Sequence, residues 1–344
     1  MRLPEENIHK ILVITLSNVG DCLLTLPVFR ALRTRFPSAK VSVVVGERGR
    51  SVFLNDPRFE ELFVYDRKVS LKQKIRFILE LRKRRFDLCV DLRDSLFGFL
   101  VGARTRTPFF HRRLALHRFD RHLERLKPLG LSADGPPSRR ASPASLRGRS
   151  GPAGGWDKED LWIRPEVRQR MQLLLEAKGV SKKDPFVVVS PGSRSDLKRW
   201  GEKSYALLCA KLIREKGLPV LFVGEPSDRK VVDTVTSTLK EKTASLVGET
   251  SIEELAAVLR WAGCLVANDS ATLHAATLVG CPTVAIFGPT DPKKYGPRGE
   301  KSVVVRKTLF CSPCELARCP YHHECMEELS VEEVYQACCN LLSP

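Results

Sequence analysis

An α/β chain of two parallel-sheet domains is the architecture this sequence predicts, on three observations. Short apolar runs such as Ile11-Leu-Val-Ile-Thr-Leu16 and Phe186-Val-Val-Val-Ser190 recur along the chain. Helical patterns fit between most of them. The length of 344 residues exceeds what one compact domain usually needs. Strands that are apolar throughout and alternate with helices belong to a sheet covered on both faces.

The first domain is read over residues 1–180. Its strands are Ile11–Leu16, Val41–Val45, Leu62–Tyr65 and Leu88–Leu92, with a helical pattern running to Phe36 and a basic amphipathic helix from Leu71 to Arg85. Residues 132–155 are rich in Ser, Pro, Gly and Arg. So little apolar surface does not offset ordering entropy, and a mobile loop is expected there. The second domain, 181–330, restarts the pattern with Phe186–Ser190, Val220–Val223, Ala244–Val247, Cys264–Ala267, Thr283–Phe287 and Ser302–Val305. The last segment, 331–344, reads as a helix with the first domain as its candidate packing surface. No tandem repeat is present.

Net charge is +17 and unevenly spread. Residues 101–150 hold twelve Arg or Lys against three acids, over half of the excess. Such a patch is either a solvated basic face or a match for an anionic partner. No apolar run reaches the ~18 residues of a membrane span, and the first residues lack the apolar core of a secretion signal. The expected location is therefore cytoplasmic. There is no Gly-x-Gly-x-x-Gly, Walker loop, His-Glu-x-x-His or Gly-x-Ser-x-Gly, which disfavours ordinary dinucleotide enzymes, P-loop NTPases, zinc proteases and hydrolases. The cysteines inside apolar strands (Cys89, Cys264, Cys281) read as small buried hydrophobes.

Three loops follow strands, where open α/β sheets bind ligands. The first, Ser17-Asn-Val-Gly-Asp21, offers Ser17, Asn18 and a close-approach Gly20. Asp21 either caps a helix or acts as a carboxylate base. The second, Ser190–Glu202, gathers hydroxyls, backbone N–H groups and the cations Lys198 and Arg199, a phosphate-binding inventory. In the third, Asn268-Asp-Ser270, Asp269 or Ser270 caps the helix Ala271–Val279. The free N–H groups and positive dipole end then suit a diphosphate. His274 lies one turn on, and Asp269 is better matched to a sugar hydroxyl than to phosphate. A fourth cluster, Cys311-x2-Cys314-x4-Cys319-x5-Cys325, suits structural zinc in number but not in usual finger spacing; a plain thiol-rich loop is the alternative.

Taken together, Ile11–Pro27, Pro191–Trp200, Asn268–Pro292 and Cys311–Met326 resemble the four signature blocks of family 9 glycosyltransferases, the ADP-heptose:lipopolysaccharide heptosyltransferases. The likeness spans the chain apart from Arg104–Gly155. It implies a glycosyltransferase B architecture, two Rossmann-like domains facing across a cleft, with acceptor on the first and nucleotide-sugar on the second. It implies inversion at the anomeric carbon with no catalytic metal or cofactor. Residue by residue, it casts Asp21 as general base and Ser193 and Lys198 as diphosphate contacts. Glu225 falls to the adenosine ribose and Thr250 to the nucleotide. Asp269, Ser270 and His274 form the sugar- and phosphate-binding turn. The family usually has Gly where this chain has Ala271.

The function expected is transfer of a heptose or related sugar from an ADP-sugar to an acidic lipopolysaccharide or lipid A-core acceptor, with peripheral contact at the cytoplasmic face of the inner membrane. A non-catalytic sugar-nucleotide binder is one alternative. A basic nucleic-acid-binding protein is another, disfavoured because Arg104–Arg149 holds no recognised nucleic-acid motif and few aromatics.

Overall fold

The computed structural model describes residues 7–108, 117–130, 160–299 and 301–343. The loop expected at 132–155 lies outside these. The chain divides into two compact units, Met1–Asp160 and Leu161–Pro344.

In the first unit the chain runs β1 (Lys10–Ile14), α1 (Val19–Leu23), α2 (Leu26–Arg35), β2 (Lys40–Val45), β3 (Leu62–Val64), α3 (Leu71–Lys83), β4 (Leu88–Asp91), α4 (Phe97–Leu100), β5 (Thr105–Arg106) and α5 (Arg118–Glu124). All pairings are parallel, in the order β3-β2-β1-β4-β5. Val13 lies between Val43 and Val90. The helical pattern expected through Phe36 is two helices, broken at Leu24–Thr25, with Pro27 in the first turn of the second. Proline is tolerated there because that N–H has no helical partner. α3 opens with a reciprocal Ser70–Gln73 capping box.

In the second unit the order is α6 (Pro165–Ala177), β6 (Val187–Ser190), α7 (Glu202–Lys216), β7 (Val220–Phe222), α8 (Arg229–Thr238), β8 (Ala244–Ser245), α9 (Ile252–Trp261), β9 (Cys264–Asn268), α10 (Ala271–Val279), β10 (Thr283–Ile286), α11 (Pro292–Tyr295), β11 (Ser302–Val305), α12 (Glu324–Glu327) and α13 (Val331–Leu342). Its parallel sheet is ordered β11-β10-β9-β6-β7-β8. The core sits where Val187, Val189, Val266, Val284 and Ile286 meet Tyr205, Leu208 and Leu212 of α7.

Two boundaries differ from expectation. The division falls at 160/161 rather than 180/181, because α6 packs on α9 and Arg164 pairs with Glu253. α13 packs on α7, β9, β10 and β11, burying Val334, Tyr335, Ala337 and Cys338 within the second unit. Among the described residues no helix is long and apolar enough to cross a membrane.

Candidate active site

Each sheet has one place where the strand order reverses direction: between β1 and β4 in the first, between β6 and β9 in the second. Loops leaving the carboxyl ends there diverge to opposite faces and open a crevice. The predicted residues Asp21, Ser193, Asp269 and Ser270 all leave strands flanking these two points.

In the first unit, β1 ends and the chain turns at Ser17-Asn18 into α1. Gly46, in the loop after β2, lies so close that a Cβ there would stand 2.5 Å from Ser17 Oγ. Ser17 is therefore held by its neighbour loop. Asn18 is the residue that precedes α1 in extended conformation, so Asp21 is not the cap; it lies in the first turn. Its Oδ2 accepts from Asn18 Nδ2 at 3.0 Å, and it is half-buried. Gly20 sits inside α1 rather than in a loop.

Across this site lies α5, which packs on α2. His122 of α5 is buried, and burial, reinforced by Arg118, lowers its pKa to about 4, while Asp21 opposes the shift. A neutral imidazole thus stands in the electrostatic field of Asp21. Cys22, the next residue, is pushed up to about 12 chiefly by burial, so it stays a thiol.

In the second unit the turn Asn268-Asp-Ser270 divides into three roles. Asn268 is fully buried: its Oδ1 accepts from Trp200 N at 3.1 Å and Tyr205 Oη at 3.0 Å, and its Nδ2 donates to Pro191 O at 2.8 Å. It ties β9 to the loop after β6. Asp269 is buried, and its Oδ2 takes Lys198 Nζ at 2.7 Å. Ser193 Oγ donates to Asp269 O at 3.2 Å. Ser270 is the N-cap of α10, but its hydroxyl makes no capping bond and is buried without a partner. Thr290, beyond the neighbouring strand β10, carries a second buried hydroxyl without a partner. Burying such groups costs free energy unless something hydrogen-bonds them.

Lys198 is thus no free loop charge, and Arg199 is not one either: its guanidinium donates to Ser193 O at 2.8 Å and fixes the loop. Glu225 is exposed after β7 and Thr250 half-buried just before α9. His274 is buried inside α10. Sequence reasoning missed Asp228, whose carboxylate fills the space beside Gly192 and Gly224, where a Cβ would come within 2.1 and 2.9 Å. It joins the loops after β6 and β7, and its Oδ2 accepts from Glu225 N at 2.9 Å. Two glycines at matching places after neighbouring strands were the available signal.

The four clustered cysteines line a small cavity of about 30 Å³ with Leu197, Pro289 and His323. Burial, then the three neighbouring cysteines, raises Cys325 to about 11. Among the described residues no three His, Cys, Asp or Glu side chains are arranged to hold a metal ion. The same segment also braces its surroundings: His323 Nε2 meets Leu197 O at 2.5 Å, Trp200 Nε1 donates to Leu329 O at 3.1 Å, and Met326 fills the space beside Gly288. The segment buttresses the Lys198 loop from behind.

Comparison with known proteins fits this arrangement. The model of glycosyltransferase family 9 (heptosyltransferase) matches residues 155–324. Lipopolysaccharide heptosyltransferase 2 of Salmonella typhimurium is 26% identical over 318 residues, 86% of this chain and 88% of the relative. The glycosyl transferase family 9 structure from Veillonella parvula superposes with a TM-score of 0.80 at 23% identity, covering 99% of this chain and 98% of that one. The E. coli ADP-heptose lipopolysaccharide heptosyltransferase II structure gives 0.72 at 21% identity, covering 97% and 98%. The fold is the glycosyltransferase B fold of two Rossmann-like units. The chain is similar to glycosyltransferase family 9 and is a glycosyltransferase.

Proposed function

We propose that this enzyme transfers a heptose or related sugar from an ADP-sugar to a lipopolysaccharide inner-core acceptor, with inversion at the anomeric carbon. The observation that carries the donor half is the buried, unpartnered hydroxyl of Ser270 at the N-terminus of α10, next in sequence to Asp269, which holds Lys198, with a second such hydroxyl, Thr290, after the neighbouring strand β10. Oxygen-rich anions satisfy hydroxyls, helix amides and a lysine together. ADP-heptose and lipopolysaccharide come from the names of relatives that align along most of the chain.

In this reading Ser193, Lys198 and the first amides of α10 hold the diphosphate. Glu225 and Thr250 contact the nucleoside. Asp269 and His274 complete the sugar pocket. Asp21, with Ser17, Asn18 and Gly20 shaping its loop, takes the proton from the acceptor hydroxyl. The acceptor oxygen bonds to the anomeric carbon as the bond from that carbon to the diphosphate oxygen breaks on the opposite face. Charge then grows on the leaving ADP, where the fixed donors stabilise it. No metal or cofactor enters the chemical step. The acceptor is lipid-borne, so the enzyme works in the cytoplasm at the inner-membrane face.

The test is incubation with ADP-heptose and a purified core acceptor. We expect ADP release matched by one added heptose mass and an anomer opposite to the donor's. Retained configuration would remove the inverting mechanism. ADP-heptose binding without transfer to any core acceptor would refute the proposed substrate pair.

A further inference from the structure

We propose that the outer face of α3 and α4 is a docking surface for an anionic lipid bilayer. Large apolar side chains are unevenly distributed over the surface. Of thirteen exposed ones among the described residues, six lie in or beside these two short helices: Leu71, Ile75, Leu79, Leu96, Phe99 and Leu100. Leu71, Ile75 and Leu79 are 73%, 50% and 50% exposed. Their i, i+4, i+8 spacing places them in one stripe along α3.

The opposite face of α3 explains its packing without them. Leu81 is buried, and Phe77 packs against Phe97 of α4, with ring centroids 5.9 Å apart. Gly102, just after α4, lies beside the Arg82 guanidinium. The two helices are therefore neighbours on one side of the sheet, with core contacts made by other residues. The exposed stripe is not needed to hold α3 down.

Charge decides the occupant. Lys72, Arg76 and Lys83 are exposed and fall in a second strip adjoining the apolar one; Arg82 lies in line with the stripe itself. Glu80 is the single acid of α3. Arg106 stands over the exposed ring of Phe99 at 4.6 Å. An apolar ridge bordered by Lys and Arg is what the boundary between lipid headgroups and acyl chains accommodates, when the headgroups are anionic. A second copy of this chain would bring the same cations face to face. Nucleic acid would leave the apolar stripe in water.

The inference extends the reading of a lipid-borne acceptor, but its test uses vesicles free of glycolipid. Binding and transfer therefore fail separately. Full-length protein is floated with phosphatidylcholine vesicles, with and without phosphatidylglycerol, at low and high salt. We expect flotation with the anionic vesicles, weakened by salt and by loss of phosphatidylglycerol. Ile75→Asp/Leu79→Asp and Lys72→Gln/Arg76→Gln/Lys83→Gln should each reduce partitioning by roughly tenfold or more. Both variants should keep their melting temperature and their transfer to a short, detergent-free acceptor oligosaccharide, because these side chains are exposed. Wild-type protein that ignores anionic vesicles overturns the proposal, as do variants that bind like wild type. Self-association in sedimentation that Ile75→Asp/Leu79→Asp abolishes, without vesicle binding, would assign the face to a second copy instead.

Discussion

Replacing Lys198 by Met separates ligand binding from internal pairing at the proposed donor site. Lys198 Nζ lies 2.7 Å from Asp269 Oδ2, with the lysine side chain 32% and the aspartate 6% exposed. A charge-assisted contact to a diphosphate is typically worth ~1.5–3 kcal/mol. At 1.4 kcal/mol per decade, ADP affinity should fall by about 10–150-fold. Adenosine carries no diphosphate, so its affinity should change by less than about twofold on the same scale. The substitution also strands a buried carboxylate. Breaking a fully buried pair costs ~3–5 kcal/mol, and the partly exposed lysine reduces this to roughly 1–3 kcal/mol. The double variant Lys198→Met/Asp269→Asn removes that orphaned charge. It should regain most of the stability and none of the ADP affinity. Titration calorimetry with ADP and adenosine, beside urea unfolding, measures both quantities. Equal losses for ADP and adenosine, or recovery of ADP binding in the double variant, would refute a direct contact between Lys198 and the diphosphate.

Asp21→Asn should lower the single-turnover rate by ~10²-fold or more while donor affinity stays within about twofold; a near-wild-type rate constant removes the base role. Asn268→Ala strands Trp200 N, Tyr205 Oη and Pro191 O and should destabilise the second unit by roughly 2–5 kcal/mol, read as its urea midpoint; an unchanged midpoint would refute the tying role. His122 is neutral when folded, at about 4, and titrates near 6.5 when unfolded. The unfolded chain therefore binds the extra proton between these values, and stability falls as pH drops from 6.5 towards 4, by roughly 3 kcal/mol, and is flat below. His122→Gln should lack this component when urea midpoints at neutral and acid pH are compared. Asp269→Asn should weaken ADP-sugar binding more than ADP binding, and equal effects on the two would deny Asp269 its sugar contact.

The strands were legible because each is a short apolar run between turn signals. β1, β2, β3, β4, β6 and β9 lie within two residues of expectation at either end, and α10 spans the expected Ala271–Val279. What went unread was short or basic: α4 has four residues and β5 two. α5, Arg-Phe-Asp-Arg-His-Leu-Glu, was absorbed into the charge excess of its segment. Its apolar positions Phe119 and Leu123 are spaced by four and both buried, a signal too brief to stand out among the arginines. The domain boundary was expected at 180/181, after α6, because the partner that holds this helix, α9, lies far along the chain.

Of the proposed donor site, the turn between β9 and α10 was legible in the sequence, but the division of labour within it was not. Which member of Asn268-Asp-Ser270 is left open depends on partners distant in sequence. Asn268 is consumed by Trp200, Tyr205 and Pro191, and Asp269 by Lys198. Only Ser270 keeps an unspent hydroxyl. This pairing bears on how a donor would be recognised. With Asp269 holding Lys198, a diphosphate that takes the lysine leaves a buried carboxylate without its cation. ADP alone would do that. An ADP-sugar would bring a hydroxyl donor for the same carboxylate, so one ligand satisfies both halves of the pair that it opens. Recognition of the complete donor over its nucleotide product then follows from the cost of leaving a buried charge unpaired, and the same preference favours release of ADP once the sugar has gone.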